Sequence, residues 1–449
     1  MKTDSGLPPG FVFFFRIFAN KHKDSIMLKK NNAWLWIPTL YFASGLPYHA
    51  ITSISDIMYK DMGIGNAQIA MYTSLLLIPW TIKPLWSPIV EMISTRRKWT
   101  LISQLLLAIC FAAIALVIPS KHFLALTLIA FFIGAFVSST HDIALDGFYI
   151  LALPQEKQSF FSGIRNTFYR IATVFSSGVL VMLANKLGYH FGNDTIAWSA
   201  TFATTGIIMV ALWLYHTKAM PRPENDISRS TKSIKDVFCN YGDIIKTYFK
   251  KPGIWQAILF LLLFRFPEAQ LGKMSKLFLM DPTSSGGLAL DKGDIGFIYG
   301  VVGVIGLIIG GIVGGICISR KGLKYWLWPM VIAISLPDAV YIYMSMLQPD
   351  NLYIVGSCIF IEQLGYGFGF TAYTLYMIYF ARGKYPTAHF AISTAFMSLG
   401  MMLPGMFAGQ LQEKMGYENF FIWVTACTVI TFVVSALIKI DPNFGKRQK

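Results

Sequence analysis

The chain alternates long apolar runs with short polar joints. A helix that crosses a bilayer needs about 20 mostly apolar residues. Twelve runs fit, at 33–58, 66–92, 99–118, 123–152, 159–185, 196–216, 253–280, 293–319, 324–346, 352–381, 386–412 and 418–439; these are spans 1 to 12 below. None shows the polar–apolar alternation of a membrane barrel strand, so the pattern predicts an all-α membrane protein. The longest polar stretch, 217–252, divides six spans from six. Inside it, the residues after Asp236 have the spacing of an amphipathic helix lying on the membrane. The expected organisation is an N-terminal extension 1–32, a six-helix half 33–216, a central loop 217–252, a second half 253–440 and a tail 441–449.

Composition narrows the function classes. Hydrophobic residues make up 55% of the 449 and charged residues 14%, against about 45–50% and about 25% in soluble domains. A soluble multidomain protein and a disordered chain are both excluded. The five cysteines form no CxxC pair and no cluster with histidine, so neither a metal site nor a disulfide framework is expected, and no cofactor. No Gly-x-Ser-x-Gly, His-Glu-x-x-His or phosphate-loop motif is present, which argues against an enzyme. The net charge of +15 comes from residues in short loops, so it reads as membrane topology rather than nucleic-acid binding. The loops sharing a face with the termini hold 27 Lys+Arg and the opposite loops hold 5. The positive-inside rule then places both termini in the cytoplasm.

A weak internal repeat supports the six-plus-six division. After span 2 the chain reads Ser87-x-x-x-Glu91 and then Arg96-Arg97-Lys98. After span 8 it reads Gly315-x-x-x-Ser319-Arg320-x-Gly322-x-Lys324. Both resemble the loop 2–3 motif of the major facilitator superfamily, where it tethers neighbouring helices. Two such halves, related by an axis along the membrane normal, enclose a substrate cavity near mid-membrane and rock about it.

Further segments resemble the muropeptide permease (AmpG) family. They are Phe42-Ala43-Ser44-Gly45-Leu46-Pro47, Lys83-Pro84-Leu85-Trp86-Ser87-Pro88, Asp142-Ile143-Ala144-Leu145-Asp146, Tyr169-Arg170, and Phe360-Ile361-Glu362 with Gly365, Gly367 and Gly369. Thr387-x-x-Phe390-Ala391 and Ala408-Gly409 extend the likeness, which covers about 34–435. His141 stands where the family has glutamine, and Glu268 matches an aspartate. The resemblance implies a proton-coupled importer of cell-wall fragments, N-acetylglucosamine–anhydro-N-acetylmuramic acid with or without its stem peptide. It also implies a bacterial inner membrane, and spans 1, 4, 7 and 10 lining the cavity. The expected partners are an anionic sugar-peptide, protons and the lipid bilayer, with no nucleic acid and a monomeric state. A facilitator-type carrier of another organic anion or a drug is the alternative.

Charges inside spans mark the candidate site, because each costs roughly 2.5–3.5 kcal/mol at a helix centre on the insertion scale. Asp142, Asp146, Glu268, Asp338 and Glu362 are the acids, and Lys83, Arg165, Arg170, Arg265, Lys273 and Lys276 the bases. At 1.5 Å per residue, Asp142 and Arg170 lie about 15–16 Å from the inner face and Asp146 and Arg165 about 9 Å. Matched depth predicts the pairs Asp142–Arg170 and Asp146–Arg165. Glu362, with no local cation, is the expected proton carrier. Glu268, Asp142 and Asp146 are further coupling candidates, and Arg265 is placed to hold Glu268 ionised. Lys83 and Arg170 are expected to bind the substrate anion, with Tyr48, Trp80 and Tyr366 against its sugar rings. Lys273 and Lys276 are read either as anion contacts or as side chains reaching outward. Gly365, Gly367 and Gly369 either leave room for substrate or allow close helix packing. His141 is either a proton shuttle or a core histidine.

Residues 1–26 lie outside the resemblance, and Met27-Leu28-Lys29-Lys30 has the form of an ordinary start. Phe11–Phe18 is too short to span and has no cleavage signal. The segment is expected to be dispensable, or a misplaced start. The loop charges make one topological prediction. A reporter fused at the C-terminus should be active only when it works in the cytoplasm, and activity restricted to the outer side would overturn the orientation.

Overall fold

A computed structural model describes residues 32–153, 155–224, 226, 234–383 and 385–445. The extension 1–31 and the last four residues lie outside them, as does the expectation for residues 1–26. Among the described residues all regular structure is helical. Eight helical segments are long and apolar enough to cross a membrane, and the last of them, Ala388–Leu437, holds two spans. They join at Gly416, whose φ of 74° suits a residue without Cβ. Stretches 33–61, 66–93 and Leu352–Ala381 complete the twelve. The first two are broken by non-α turns, and the third carries Glu362 and Gln363 at its middle, which lowers its mean hydropathy.

Among the described residues three spans are interrupted by a π-turn: Ala50–Ile54 in span 1, Phe175–Leu180 in span 5 and Ile298–Gly303 in span 8. The span 1 turn follows Pro47, which has no N–H to donate to the helical ladder. Such turns often sit at functional sites because they re-aim side chains, and here the three meet around the central cavity.

Glycines set the packing of span 10. A Cβ on Gly365 would meet the Ala333 carbonyl and Pro337 of span 9. One on Gly369 would lie 2.6 Å from the Met330 carbonyl, and one on Gly367 would overlap backbone of span 8. From the other side, Gly306, Gly310 and Gly314 of span 8 press on span 10. These glycines therefore serve close helix approach, not substrate room.

The expected surface helix is present as Ile234–Phe249, but its C-terminal end docks on protein. Tyr248 is fully buried, its hydroxyl 3.0 Å from that of Ser393. Lys251 donates to the carbonyls of Phe380 and Arg382. An aromatic residue on the apolar side of the helix gains more from this pocket at the base of spans 10 and 11 than from lipid headgroups. On the same face, Asp226 accepts from the backbone N–H groups of Arg96 and Arg97, 2.9 Å each, capping span 3. Arg97 also donates to the Thr217 carbonyl at 2.7 Å, so the loop 2–3 basic cluster ties span 3 to the end of span 6.

The two halves are sealed at the end away from the chain termini. Lys60 pairs with Asp281, which also accepts from Asn66 at 2.8 Å and Tyr417 at 2.6 Å. Lys292 bridges Asp61 and Asp194. Asp281 and Asp291 flank a folded-back loop in which Leu288 and Leu290 donate to the Phe278 and Leu279 carbonyls. Burial works against the charge of Asp291, but hydrogen bonds from the Tyr189 hydroxyl and the Gly293 N–H outweigh it and hold this carboxyl below the usual range. Asp291 is thus charged above that range, and its contribution fades as pH falls through the lowered value. Between described residues, every cross-half hydrogen bond and ion pair lies from mid-depth to this sealed end.

Two outcomes are expected. Gly310→Leu should sharply reduce monodisperse protein recovered in detergent, because the side chain would overlap span 10 backbone. Gly315→Ala, which meets nothing within 4 Å, should behave as the parent, and equal recovery of both would refute the packing account. Asp281→Asn weakens its link to Lys60 and should shift the conformational equilibrium toward opening at the sealed end, about tenfold for each 1.4 kcal/mol lost. Faster labelling of a cysteine placed at Ser177, by an impermeant maleimide added from that side, is the readout. An unchanged rate would show that the seal rests elsewhere.

Candidate substrate and coupling site

Between the halves lies a cavity of about 280 Å³. Its wall includes His49, Ser53, Thr173, Lys276, Glu362 and Tyr366, from spans 1, 5, 7 and 10. Span 4, expected among the lining, contributes no lining residue among those described.

The acids of span 4 instead meet residues of spans 1, 2 and 5. Asp142 accepts from the Ser44 hydroxyl at 2.6 Å and the Trp80 indole at 3.3 Å. Lys83 is the cation that acts on it. The expected Asp142–Arg170 pair does not form. Depth fixes height along the bundle but not direction around a helix, and Arg170 lies within electrostatic reach of His49 and Tyr366. Among the described residues Arg170 makes no ion pair. Asp146 and Arg165 do approach, at 3.5 Å, bridged by the Tyr41 hydroxyl at 3.1 and 3.2 Å. With the Asp146 side chain 54% exposed, this pair is loose and of small energetic weight. Tyr48 packs edge-on against Trp80, ring centres 5.0 Å apart, and beside His49 and Tyr169. This aromatic wall lies next to the cavity. His141 is buried and hydrogen-bonded to Gln104, which continues to His216 and Thr39. It is part of the core of the N-terminal half.

In span 7, Arg265 grips Glu268 through two hydrogen bonds of 2.6 and 2.9 Å and donates to the Tyr366 hydroxyl at 2.7 Å. This bidentate, charge-assisted contact is the strong kind. Glu362 in span 10 is buried, and Gln363 donates to both its oxygens at 2.9 and 3.2 Å. No cation lies within 4.0 Å of it among the described residues. Asp338 is buried in span 9, with one carboxylate oxygen unpartnered among the described residues, and within electrostatic reach of Glu362.

Three features escaped sequence reasoning. Asp56, at the outer end of span 1, accepts from Lys273 at 3.3 Å, and Lys273 also donates to Thr73 at 2.8 Å. Lys273 therefore turns inward, and so does Lys276, which donates to Ser53. Lys60 and Lys292 are seal residues rather than plain loop charges. The available signal was an acid, Asp56, facing an unexplained pair of lysines at similar depth.

Comparison with known proteins closes the assignment. The family model described as Major Facilitator Superfamily matches residues 39–403. The chain is 27% identical over 396 residues to transporter AmpG 4 of Rickettsia conorii, covering 86% of this chain and 91% of that one. It is 25% identical over 397 residues to the anhydromuropeptide permease of Escherichia coli K12, covering 87% and 76%. Among solved structures it resembles the D-xylose-proton symporter (TM-score 0.68, 11% identity, 92% of this chain and 99% of that one). It also resembles the nucleoside transporter NupG (TM-score 0.63, 15% identity, 90% and 98%). These two likenesses carry the fold alone. The chain belongs to the major facilitator superfamily as a multi-pass membrane transporter with AmpG-like relatives.

Proposed function

We propose that this transporter imports anhydromuropeptide fragments of the cell wall across a bacterial inner membrane, driven by protons, with both termini in the cytoplasm. The two halves, 33–216 and 253–440, rock about the central cavity, and the ion pairs between them at the end away from the termini support a state closed on that side. Similarity to the anhydromuropeptide permease supports the substrate class. The ligand is a large polar anion, which calls for cations, hydroxyls and flat apolar faces away from bulk water.

The observation that carries the reading is Glu362, a buried carboxyl on the cavity wall with no cation within reach among the described residues. A carboxylate left charged and unpaired in a membrane protein is expensive. This residue is therefore the one that gains a proton during the cycle and loses it to the cytoplasmic side. Glu268 is held by Arg265 and serves as a fixed pair that positions Tyr366. Asp142, bound by Ser44 and Trp80, and Asp146, beside Arg165, take secondary roles, setting spans 1, 2 and 4 relative to one another. Arg170 and Lys83, each without an ion pair within 4.0 Å among the described residues, supply positive potential toward the substrate. Tyr48, Trp80 and Tyr366 offer ring faces to its sugars.

A gradient of one pH unit is worth about 1.4 kcal/mol per proton and supports about tenfold accumulation with one coupled proton. In proteoliposomes, Glu362→Gln should reduce that accumulation to none while substrate exchange across the membrane continues, because exchange moves no net proton. Accumulation equal to that of the parent protein would remove Glu362 from coupling.

A further inference from the structure

One cation on the cavity wall has no part in the scheme above. Lys273 and Lys276 stand three residues apart on span 7, so they share a face. Their surroundings differ. Lys273 is compensated by Asp56 and Thr73. Lys276 lines the cavity and donates to Ser53, with the Tyr299 ring centre 5.8 Å from its Nζ. Among the described residues no carboxylate lies within 4.0 Å of it. Asp56 and Lys273 act on it in opposite senses from beyond contact; an ammonium taken from water with no anion in contact is a standing penalty, and a cation–π contact offsets only a small part of it.

The groups around Lys276 are those that complete an anion site. Ser53, Thr173, Ser177 and Ser275 present hydroxyls to the same cavity, and a hydroxyl can donate to a carboxylate. His49 lies 2.7 Å from the Thr173 hydroxyl. Ser53, Ser177 and Tyr299 sit in the three π-turns of spans 1, 5 and 8, and His49 and Thr173 border the first two. The irregular backbone of three separate spans thus brings polar groups to the cavity that Lys276 lines.

The geometry points to a carboxylate subsite formed by Lys276 with Ser53 and Thr173, at the sealed end of the cavity, which holds the substrate's acid group. Within the muropeptide reading, on which this rests, that group is the lactyl carboxylate or a stem-peptide carboxylate. One ammonium and a few hydroxyls suit a single negative charge. Glu362 shares the cavity, so a charged Glu362 opposes the incoming carboxylate, and proton uptake there favours its docking. Lys276 is accordingly a specificity-determining residue as well as a binding one.

The test uses the full chain in nanodiscs and two probes: the anhydro-disaccharide with a free lactyl carboxylate, and the same molecule as its lactyl amide. The intact protein should bind the acid about tenfold or more tightly than the amide, the size of one charge-assisted contact. Lys276→Gln should bind the two forms about equally. Retention of the acid preference in Lys276→Gln would overturn the subsite. A second readout needs no ligand. Lys276→Met removes an uncompensated charge, so it should melt at or above the intact protein, whereas a lower melting temperature would mark Lys276 as a structural strut to Ser53 and refute the proposal. If the intact protein binds neither probe, the muropeptide reading has failed, and the melting comparison alone then decides whether Lys276 is structural.

Discussion

An ionised side chain at the centre of a bilayer costs roughly 2.5–3.5 kcal/mol on the insertion scale, and eleven such residues were recognisable within the spans of this chain. Most of that cost is met locally. Arg265 takes Glu268, Lys273 takes Asp56, Arg165 leans on Asp146 and two tyrosine faces, and Ser44 and Trp80 bind Asp142. Without an ion pair within 4.0 Å among the described residues stand Glu362 and Lys276 on the cavity wall, Arg170 within electrostatic reach of His49 and Tyr366, Lys83 within reach of Asp142, and Asp338 buried in span 9. The two on the cavity wall sit where water or a ligand can reach them, which sets them apart from the paired charges of the skeleton.

The skeleton itself is unevenly stiff. Spans 8, 9 and 10 are locked by glycine faces that let backbones touch, which leaves little freedom for sliding within the C-terminal half. Spans 1, 5 and 8 carry π-turns at the level of the cavity. A π-turn leaves backbone carbonyls off the regular ladder and re-aims side chains, at some loss of helix stability. Close packing outside and irregular backbone inside give two rigid bodies with a polar seam between them. Rocking of such bodies needs links that break at one end while forming at the other. The links visible here, Lys60–Asp281 and Lys292 with Asp61 and Asp194, all close the end away from the termini.

Much of this was legible in the sequence, for a physical reason. Hydrocarbon tolerates so little polarity that spans, their number and their loops announce themselves, and the loop 2–3 clusters and FASGLP-type segments indicate the superfamily. The local pair Arg265–Glu268 was readable because residues three apart on a helix are neighbours. Asp146–Arg165 was readable from depth. The Asp142–Arg170 pair failed on the same argument, since a run of residues gives height but not the azimuth of a helix in its bundle. The glycines of span 10 left two readings open that only the positions of spans 8 and 9 decide. The π-turns have no strong sequence signal. Asp56 was missed because it lies near the end of an apolar run, where a charge looks like a boundary residue.

In the proposed scheme, coupling follows from placing like charges in one cavity rather than from any dedicated wire between sites. A substrate carboxylate and an ionised Glu362 share a region with few counter-charges, so each raises the free energy of the other. By linkage, whatever the proton gains from the substrate's presence the substrate gains from the proton. Lys276 enlarges the effect in that scheme, because one ammonium on the cavity wall suits one negative charge. Filled by the substrate with Glu362 neutral, or emptied with Glu362 charged against the lysine's field, the cavity stays near balance and can rock. With substrate and ionised Glu362 together it holds an excess negative charge, and with neither an excess positive one. Both off-balance states place unpaired charge where closing the halves would remove its water, which in the proposed scheme disfavours slippage in either direction.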